Sequence, residues 1–493
     1  MRVLGSLFIF FGFSGFLVVA LWLAIDNEQS TNKVRDGRSN IVIIVTDDHG
    51  YGDLGAYGYS DDIRTPNLDW LATNGALMTH GYVTAPQCVP SRAGIVTGRY
   101  QTRFGVDSNE FVPIPANEVT VAERMRNAGY VTGFVGKWHL EPSHEGIEWL
   151  QEYWPEGMKR KRPFTIPEAL RRPYKPLSKG FTDFYDGSWK RYFRNYDLDG
   201  HDVWPARGFV LKSQFRIDHQ TEAAIAFLER RKDEPFFLQL SYFAPHVPME
   251  YTKKYFDRFP GDMPERRRWG LASISAIDDG VGEIVQTLEK HGLADNTIIF
   301  FFGDNGAPLQ IERRDDPFSV KGGWDGSDNG PLVGEKGMLS EGGIRVPYIV
   351  YWKNRIAPQV YENPVISLDA GATALTLAGV KTSSSEIDGV NLLPYLTKDE
   401  MSEPHDALYW RFWGQSAIRM GKWKLIVLET GRKLLFDMTS DAHENQNLVD
   451  QHPEIANQLE SRLADWREGQ RRQGFTARYG REAPWFDYYF GEE

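Results

Sequence analysis

Residues Ile41-Val42-Ile43-Ile44-Val45 form an unbroken run of β-branched side chains, and Asp47-Asp48 follow it after a single threonine. A segment that is apolar at every position, rather than at every second one, is typical of a strand that is buried on both faces of a parallel sheet. Polar residues just after such a strand lie at its carboxyl end, where open α/β sheets bind their ligands. This stretch therefore predicts an α/β fold and the edge of the sheet at which a functional site lies.

Strand and helix patterns alternate around this stretch. Strand-like runs occur at Tyr130–Val135, Pro235–Phe243 and Thr297–Phe302, and a helical pattern covers Gln220–Arg231. The segment Thr120-Val121-Ala122-Glu123 is a capping box, which starts another helix. Such alternation predicts a mostly parallel sheet that is sandwiched by helices.

The pattern changes near residue 395. Short strands and one helix follow, at Leu408–Phe412, Ala417–Met420, Trp423–Leu428, Lys433–Phe436 and, as the helix, Pro453 to Gln470. Short strands joined by tight turns predict an antiparallel sheet. We therefore expect a main domain at residues 36–395 and a smaller antiparallel α+β subdomain at residues 396–493.

The N-terminus carries an apolar run from Val3 to Ile25, preceded by the basic residue Arg2. This pattern predicts a signal peptide at residues 1–25 or, alternatively, an uncleaved signal anchor. Both alternatives predict an exported protein, either periplasmic or secreted, whose contact with a membrane is limited to a possible N-terminal anchor.

The composition excludes several classes of protein. Hydrophobic residues make up 41% of the chain, which is enough for a sizeable core. The 56 basic and 67 acidic residues give a net charge of −11, so no nucleic-acid partner is expected. The single cysteine excludes an internal disulfide and a Cys-rich zinc site.

Several polar residues directly follow predicted strands: Asp47, Asp48, Lys137, His139, His246, Asp304 and Asn305. Any one of them could be an ordinary turn or cap at the end of a strand. Together they bring titratable and amide side chains to a single edge of the sheet. The carboxylate and amide oxygens suit a hard cation, Ca²⁺ or Mg²⁺, better than zinc.

The lone cysteine begins a motif, Cys88-Val89-Pro90-Ser91-Arg92, which continues to Thr97-Gly98-Arg99. This motif resembles the signature of the formylglycine-dependent (type I) sulfatases of the alkaline-phosphatase-like superfamily, Cys-x-Pro-Ser-Arg followed by Thr-Gly-Arg. The resemblance runs from Asn40 to the end of the chain and includes Gly136-Lys137-Trp138-His139. The alternative for a lone thiol is an inert, buried side chain.

The resemblance implies that Cys88 is converted to formylglycine. In this family a formylglycine-generating enzyme acts on the motif cysteine before folding and reads the neighbouring proline and arginine. The aldehyde hydrates to a geminal diol, of which one hydroxyl attacks sulfur and the other expels sulfate by collapse to the aldehyde. Residue 88 is therefore expected to be the nucleophile.

The resemblance also implies roles for the strand-end residues. One Ca²⁺ ion, with Mg²⁺ as the less favoured ion, would be bound by Asp47, Asp48, Asp304 and Asn305 together with residue 88. Arg92 would stabilise the alkoxide of the diol. Lys137 and His139 match a catalytic pair of the family, in which His139 takes the proton of the second hydroxyl. His246 and Lys336 would contact sulfate, and His246 would protonate the leaving oxygen.

These observations favour a sulfuric-ester hydrolase of bacterial origin acting on sulfated carbohydrate: an algal polysaccharide such as ulvan or carrageenan, a glycosaminoglycan, or their oligosaccharides. A phosphate or phosphonate monoester hydrolase on the same scaffold is one alternative. The other is a sugar-binding homologue that has lost catalysis. The basic clusters Lys159–Arg162 and Arg266–Arg268 are either solvated surface or a site that steers a polyanion. The aromatic stretch Phe184–Trp204 is either core or a wall for stacking sugars.

Overall fold

The computed structural model describes residues 37–159, 165–188, 191–203, 208–211, 214–250, 252–309, 323–471 and 483–491. The predicted signal segment at residues 1–25 lies outside these ranges. Among the residues that are described, no helix combines the length and the apolar character that crossing a bilayer requires. From Arg38 onward the described chain packs as one compact unit. The domain boundary at residues 395/396 stays a prediction.

A mixed sheet of ten strands forms the centre of the unit, in the order β11-β2-β10-β9-β1-β8-β4-β5-β6-β7. The five central strands, from β9 to β5, are mutually parallel, whereas β10, β6 and β7 join antiparallel. The strands are β1 (Asn40–Asp47), β2 (Ala76–Met78), β3 (Gly81–Tyr82), β4 (Val131–Gly136), β5 (Asp183–Ser188), β6 (Arg191–Arg194), β7 (Gly208–Leu211), β8 (Phe236–Pro245), β9 (Thr297–Gly303), β10 (Tyr348–Tyr351), β11 (Gln359–Tyr361), β12 (Val365–Ile366), β13 (Leu408–Phe412), β14 (Gln415–Met420), β15 (Trp423–Leu428) and β16 (Lys433–Asp437).

The position of strand β1 in the sheet explains why its sequence is apolar throughout. Ile41, Ile43 and Val45 point into one core, and Val42 and Ile44 point into a second core on the opposite face of the sheet. All five side chains are buried. Helices cover both faces, as the alternation of elements predicted.

The first core packs against α2, α3 and α11, and the second packs against α1, α7 and α9. The helices are α1 (Pro66–Thr73), α2 (Cys88–Thr97), α3 (Val121–Asn127), α4 (Ile147–Tyr153), α5 (Pro155–Met158), α6 (Glu168–Arg171), α7 (Arg216–Arg231), α8 (Lys253–Phe256), α9 (Glu265–Lys290), α10 (Glu341–Ile344), α11 (Leu368–Leu377), α12 (Leu393–Leu396), α13 (Pro453–Glu468) and α14 (Ala483–Phe490).

The C-terminal strands β13 to β16 form the predicted antiparallel sheet, in chain order. Helix α13 packs on one face of this sheet through Leu459 and Leu463. The other face contributes Trp410, Phe412 and Phe436 to the first core of the main sheet. The predicted fold class is therefore confirmed, and the smaller sheet shares a hydrophobic core with the larger one.

Helix α9 (Glu265–Lys290) was not predicted, and its first turn corrects the interpretation of a basic cluster. Arg266 and Arg267 are neither solvated nor free to steer a polyanion, because both are buried. The guanidinium of Arg267 lies 2.7 Å from Asp53 and 2.6 Å from Asp62. The other basic cluster is described only at Lys159, since residues 160–162 lie outside the described ranges.

A buried ion cluster joins α10 to the C-terminal sheet. The Nζ atom of Lys424 lies 2.7 Å from Oε1 of Glu341 and 2.8 Å from Oε1 of Glu444, and all three side chains are buried. Removing one partner of a buried ion pair leaves an uncompensated charge, which costs about 3–5 kcal/mol. Lys424→Met is therefore expected to lower the free energy of unfolding by about 3–5 kcal/mol in urea titrations.

The matched control is Lys422→Met. Lys422 lies two positions away and pairs with Asp437 at 2.5 Å, but its side chain is 51% exposed. Exposed ion pairs contribute about 0–1 kcal/mol, so this variant is expected to unfold close to wild type. Equal losses in the two variants would contradict the importance of burial at Lys424.

Candidate active site

The carboxyl ends of β1, β9, β8 and β4 meet at one edge of the sheet. Strand β1 delivers Asp47 and Asp48, and β9 delivers Asp304 and Asn305. Strand β8 leads to His246, and β4 leads to Lys137 and His139. The parallel register of β1 with β8 and β9 places these ends side by side, so the structure brings the predicted residues together.

Cys88 begins helix α2 and reaches the same place. Its Sγ atom lies 3.3 Å from Oδ1 of Asp47 and 3.7 Å from Oδ1 of Asp48, and the side chain is fully buried. Burial raises the pKa of the Cys88 thiol well above its ordinary value, although Lys137 and Lys336 oppose this shift. An unmodified thiol here stays protonated at neutral pH and is a poor nucleophile.

Cationic side chains separate the carboxylates of the site. Lys137 Nζ donates to Asp47 at 2.5 Å, and Lys336 Nζ donates to Asp48 at 2.6 Å. Arg92 Nε donates to Oδ2 of Asp304 at 2.8 Å. When all three aspartates are ionised, these three cations balance their charge.

The pKa values of the aspartates diverge because their neighbours differ. Burial alone would raise the pKa of Asp47, but Lys137, His246 and Arg92 together lower it well below its usual range. Burial raises the pKa of Asp304 to about 7, with Arg92 opposing the shift. Asp304 is therefore the carboxylate that gains most from a further positive charge.

The donor set fits a hard divalent cation. Oδ1 of Asn305 is buried and has no hydrogen-bond partner, although the Nδ2 group of the same side chain donates to Asp48 at 2.6 Å. Ligand atoms of Asp47, Asp48, Cys88 and His246 all lie within 4.8 Å of one another. Within this group the carboxylate oxygens of Asp47 and Asp48, together with the amide oxygen of Asn305, are the ligands that suit Ca²⁺ or Mg²⁺. An orphaned amide oxygen beside paired carboxylates is what a missing ligand partner leaves behind.

Two site residues adopt a backbone conformation that is rare for residues other than glycine. Asp48 has φ of 61°, and His139 has φ of 60°. Left-handed backbone at such residues persists only where the surrounding structure enforces it, and it is concentrated at functional sites. The turns after β1 and β4 thus aim these side chains at the expense of local backbone strain.

Gly136 precedes Lys137 and has no room for a side chain. Its φ is 101°, and an added Cβ would lie 1.9 Å from the carbonyl oxygen of Ser241 in β8. Gly136→Ala combines a strained φ with a backbone clash, so it is expected to destabilise the fold by about 3 kcal/mol and to displace Lys137. Thermal unfolding and activity measure the two effects.

The control for this variant is Gly431→Ala. Gly431 has φ of 87°, but an added Cβ would have no atom within 4 Å. It therefore carries the cost of the left-handed backbone without the clash, which is about 1 kcal/mol. Equal destabilisation in both variants would show that contact with β8 does not matter at Gly136.

The two histidines of the site are uncharged in the free protein. Burial, with a contribution from Lys137, lowers the pKa of His246 to about 4 although Asp47 and Asp48 oppose this shift. Burial and Lys137 also lower the pKa of His139 well below its ordinary value. Nδ1 of His139 is buried and has no hydrogen-bond partner. A bound anion favours the protonated form of a neighbouring imidazole.

A cavity of about 990 Å³ lies beside these residues. Lys137, His139 and His246 are among the residues that line it. Among the described residues of the predicted aromatic wall, which do not include Trp189, Phe193 is the one aromatic residue that lines this cavity, and it is only partly buried. Tyr185, Tyr192 and Tyr196 belong instead to the second core, which supports core packing for that stretch. Trp204 lies outside the described residues.

The loop that carries Lys336 is held by the C-terminal sheet. The side-chain amide of Gln415, in β14, donates to the carbonyl of Gly337 at 2.9 Å, and its oxygen accepts from the backbone N–H of Leu339 at 2.8 Å. Gln415 was missed because no local pattern links it to residue 337. Asp186 and Glu141, which line the cavity, were also missed. Asp186 belongs to β5, which was not predicted as a strand because it lies in the aromatic stretch.

The family model described as Sulfatase matches residues 39–380. The chain belongs to the sulfatase family. The model described as N-sulphoglucosamine sulphohydrolase, C-terminal, matches residues 334–469 of this sulfatase, a range that includes the Lys336 loop and the antiparallel sheet. The predicted resemblance is thereby confirmed.

Known sulfatases resemble the chain over most of its length. Arylsulfatase A of Bos taurus is 30% identical over 464 residues, which cover 85% of this chain and 84% of that protein. N-acetylgalactosamine-6-sulfatase of Homo sapiens is 31% identical over 395 residues, covering 74% and 67%. The crystal structure of Ps i-CgsB in complex with k-i-k-neocarrahexaose is 27% identical, with a TM-score of 0.72 and coverage of 92% and 97%.

These matches establish the reaction class of this sulfatase as sulfuric-ester hydrolysis. They favour that class over the phosphate or phosphonate monoester hydrolase and over the non-catalytic sugar-binding homologue. The roles of the individual site residues, including the nucleophile and the metal ligands, stay predictions.

Proposed function

We propose that the protein releases sulfate from a sulfated oligo- or polysaccharide, with residue 88 in its formylglycine form and with one bound Ca²⁺ ion. The observation that carries this proposal is the position of Cys88. Its Sγ atom lies between two carboxylates at the base of the site, 3.3 Å from Asp47 and 3.7 Å from Asp48. A thiol is only a weak hydrogen-bond donor to these carboxylates, whereas a hydroxyl group is a good ligand for a hard cation at the same place.

The calcium ion would be held by Asp47, Asp48, Asp304 and Asn305. When bound, it supplies positive charge that stabilises the nucleophile and the sulfate oxygens. The orphaned Oδ1 of Asn305 supports this ligand set, because it would gain a partner. Lys137 donates a hydrogen bond to Asp47, and Lys336 donates one to Asp48. Ion binding to these aspartates would free the two ammonium groups to face a sulfate anion.

The chain's own side chains would divide the remaining work. Arg92 lies one helical turn after Cys88 and would stabilise negative charge on the residue-88 oxygen. His246 would donate a proton to the sugar oxygen as it leaves sulfur. His139 would remove a proton from the second hydroxyl of residue 88, and its unpaired Nδ1 supports a role that needs a free ring nitrogen. Lys137 and Lys336 would hold the sulfate oxygens.

The size of the cavity supports a carbohydrate as the substrate. A cavity of about 990 Å³ exceeds what a lone sulfate ion or a small aryl ester requires, and it has room for more than one sugar unit. One structural neighbour, Ps i-CgsB, was crystallised in complex with k-i-k-neocarrahexaose. We propose carrageenan, ulvan or glycosaminoglycan oligosaccharides as substrates of this chain. We further propose export to the periplasm or beyond the cell, where such polymers are met.

A formylglycine-generating enzyme is the proposed partner. Cys88 is fully buried in the folded protein, so no second enzyme can reach it there. Under this proposal, conversion precedes folding, while the segment around Cys88 is still accessible.

The test is a substrate panel, using protein produced together with the converting enzyme. Carrageenan, ulvan and chondroitin sulfate oligosaccharides are compared with 4-nitrophenyl sulfate and 4-nitrophenyl phosphate. We expect one sulfated sugar to exceed the aryl sulfate in kcat/KM by at least about 10-fold, because only a sugar uses the binding energy of the cavity. Activity confined to the aryl sulfate would contradict the carbohydrate substrate, and faster hydrolysis of the phosphate would contradict the sulfatase mechanism.

A further inference from the structure

Two acidic residues outside the predicted catalytic set lie in the same cavity as His139 and His246. Glu141 follows β4 by a short segment, and Asp186 lies in β5, directly opposite Gly136 of β4 in the parallel register. They thus occupy the next strand end outward from the reaction centre. A sugar whose sulfate sits at Lys137 and His246 would present its ring to this part of the cavity.

One carboxylate oxygen of Glu141 accepts no hydrogen bond. Its Oε1 atom accepts a hydrogen bond from Arg171 at 2.6 Å, whereas its Oε2 atom is buried and has no hydrogen-bond partner. A buried carboxylate oxygen without a donor is costly, which is why such atoms are nearly always paired. Glu141 lines the cavity with a side chain that is 22% exposed, so a ligand hydroxyl can supply the missing donor once the carboxyl group turns Oε2 toward the cavity.

Asp186 reinforces the same chemistry. Its side chain is 7% exposed and lines the cavity. Burial and the nearby charge of Glu141 raise the pKa of Asp186 to about 8, although Lys175 and Arg171 oppose the shift. A protonated carboxyl group can both accept from and donate to a hydroxyl group, so the pair matches the chemistry of neutral sugar hydroxyls.

We propose that Glu141 and Asp186 bind free hydroxyl groups of the sulfated sugar unit and thereby select a unit that carries a hydroxyl next to the sulfate ester. This inference rests on the proposed carbohydrate substrate. A second sulfate at that hydroxyl would meet the carboxylate of Glu141 and would remove the donor that Oε2 requires. Two cations near the pair are already engaged, because Arg171 bonds Glu141 and Lys175 lies 3.1 Å from Glu168.

The first experiment compares Glu141→Gln with wild type on the panel sugar that is hydrolysed fastest and on 4-nitrophenyl sulfate. Glutamine keeps an oxygen for Arg171 but replaces the free acceptor with an N–H donor. We expect kcat/KM for the sugar to fall by about 10- to 100-fold, which corresponds to one hydrogen bond to a charged group. Activity on the aryl sulfate is expected to stay within about 2-fold, because that ester has no sugar hydroxyl for Glu141 to bind.

The second experiment uses a deoxy analogue of the same sugar, which lacks the hydroxyl next to the sulfate. In wild type, kcat/KM should be lower for this analogue than for the sugar, by the same factor by which Glu141→Gln lowers kcat/KM for the sugar. In the Glu141→Gln variant, kcat/KM should be nearly equal for the analogue and the sugar. Asp186→Asn should show the same split between sugar and aryl ester. Glu148→Gln is the matched control, because Glu148 is exposed on α4 and does not line this cavity.

The outcomes separate this inference from the proposed function. No hydrolysis of any sulfated sugar by wild type would overturn the carbohydrate substrate, and the inference with it. Hydrolysis of the sugar with equal rates in wild type and Glu141→Gln would overturn the inference alone. Parallel losses on the sugar and the aryl ester, or preference for a sugar doubly sulfated at the neighbouring position, would also overturn it. Melting temperatures of all variants show whether a loss comes from unfolding.

Discussion

Replacing Cys88 with alanine is expected to abolish sulfate release, with kcat falling by about 10⁵- to 10⁶-fold, as when the nucleophile of a covalent mechanism is removed. Alanine supplies neither the aldehyde nor the diol that the proposed mechanism needs. The fold is expected to survive, because Cys88 is a small side chain at the first turn of α2. Initial rates on the preferred sugar and thermal unfolding measure the two effects.

In the wild-type protein, the mass of the peptide that contains Cys88 identifies the nucleophile. Trypsin releases Cys88 in a peptide that runs from Thr65 to Arg92. Conversion of the thiol to the aldehyde removes roughly 18 Da, unlike the usual steps of cysteine oxidation, which add oxygen. Ile95→Val, on the same helix, is the control and is expected to cost about 1 kcal/mol of stability with activity retained. An active protein whose Cys88 remains a thiol would contradict the formylglycine nucleophile.

Removal of the proposed calcium ion is the second change with a large expected effect. Dialysis against a chelator should reduce kcat by at least about 10³-fold, because the site would lose the positive charge that the proposed ion supplies to the reacting oxygens. Stability should fall as well, since a ligand at 100 times its Kd contributes about 2.7 kcal/mol to the folded state. Calcium should restore both, with magnesium less effective because of its stricter geometry.

Two variants locate the ion. Asp48→Asn should lose the calcium-dependent change in melting temperature, because it removes a proposed ligand. Asp197→Asn should retain it. Asp197 belongs to a second group of possible ligands, with Asp199 and His201, which lies on the surface. A calcium-dependent shift in melting temperature that disappears in Asp197→Asn and persists in Asp48→Asn would place the ion at the surface group and contradict the proposed site.

The sequence is most informative where function depends on short segments. Strand β1 is recognisable because burial on both faces demands an unbroken apolar run, and the two aspartates that follow need no distant partner to be noticed. Cys88 is conspicuous for the same reason, since its motif lies within a single helical segment. Positions of this kind follow from local spacing and from the rule that parallel strands end at one edge.

Other parts of the structure depend on contacts between distant segments. Gln415 supports the Lys336 loop across 78 positions of sequence, and nothing beside Gln415 indicates this partner. Helix α9 was missed because its first turn reads as a basic surface and because Gly270, Gly280 and Gly282 weaken its helical pattern. These glycines are explained only by the close approach of neighbouring segments. Tertiary packing supplies that information.

The placement of β1 between β8 and β9 also fixes a delay during protein synthesis, between the synthesis of Cys88 and the completion of the central sheet. The strands that flank β1 emerge roughly 150 to 215 residues after Cys88, and at about 5–20 residues per second this takes about 10 to 40 s. Until then the central sheet is incomplete, and the segment around residue 88 cannot be buried in the hydrophobic core. Under the proposed function, chain topology therefore gives the converting enzyme its working time. A circular permutant in which β8 and β9 are translated before Cys88 would shorten that interval and should lower the fraction of converted protein.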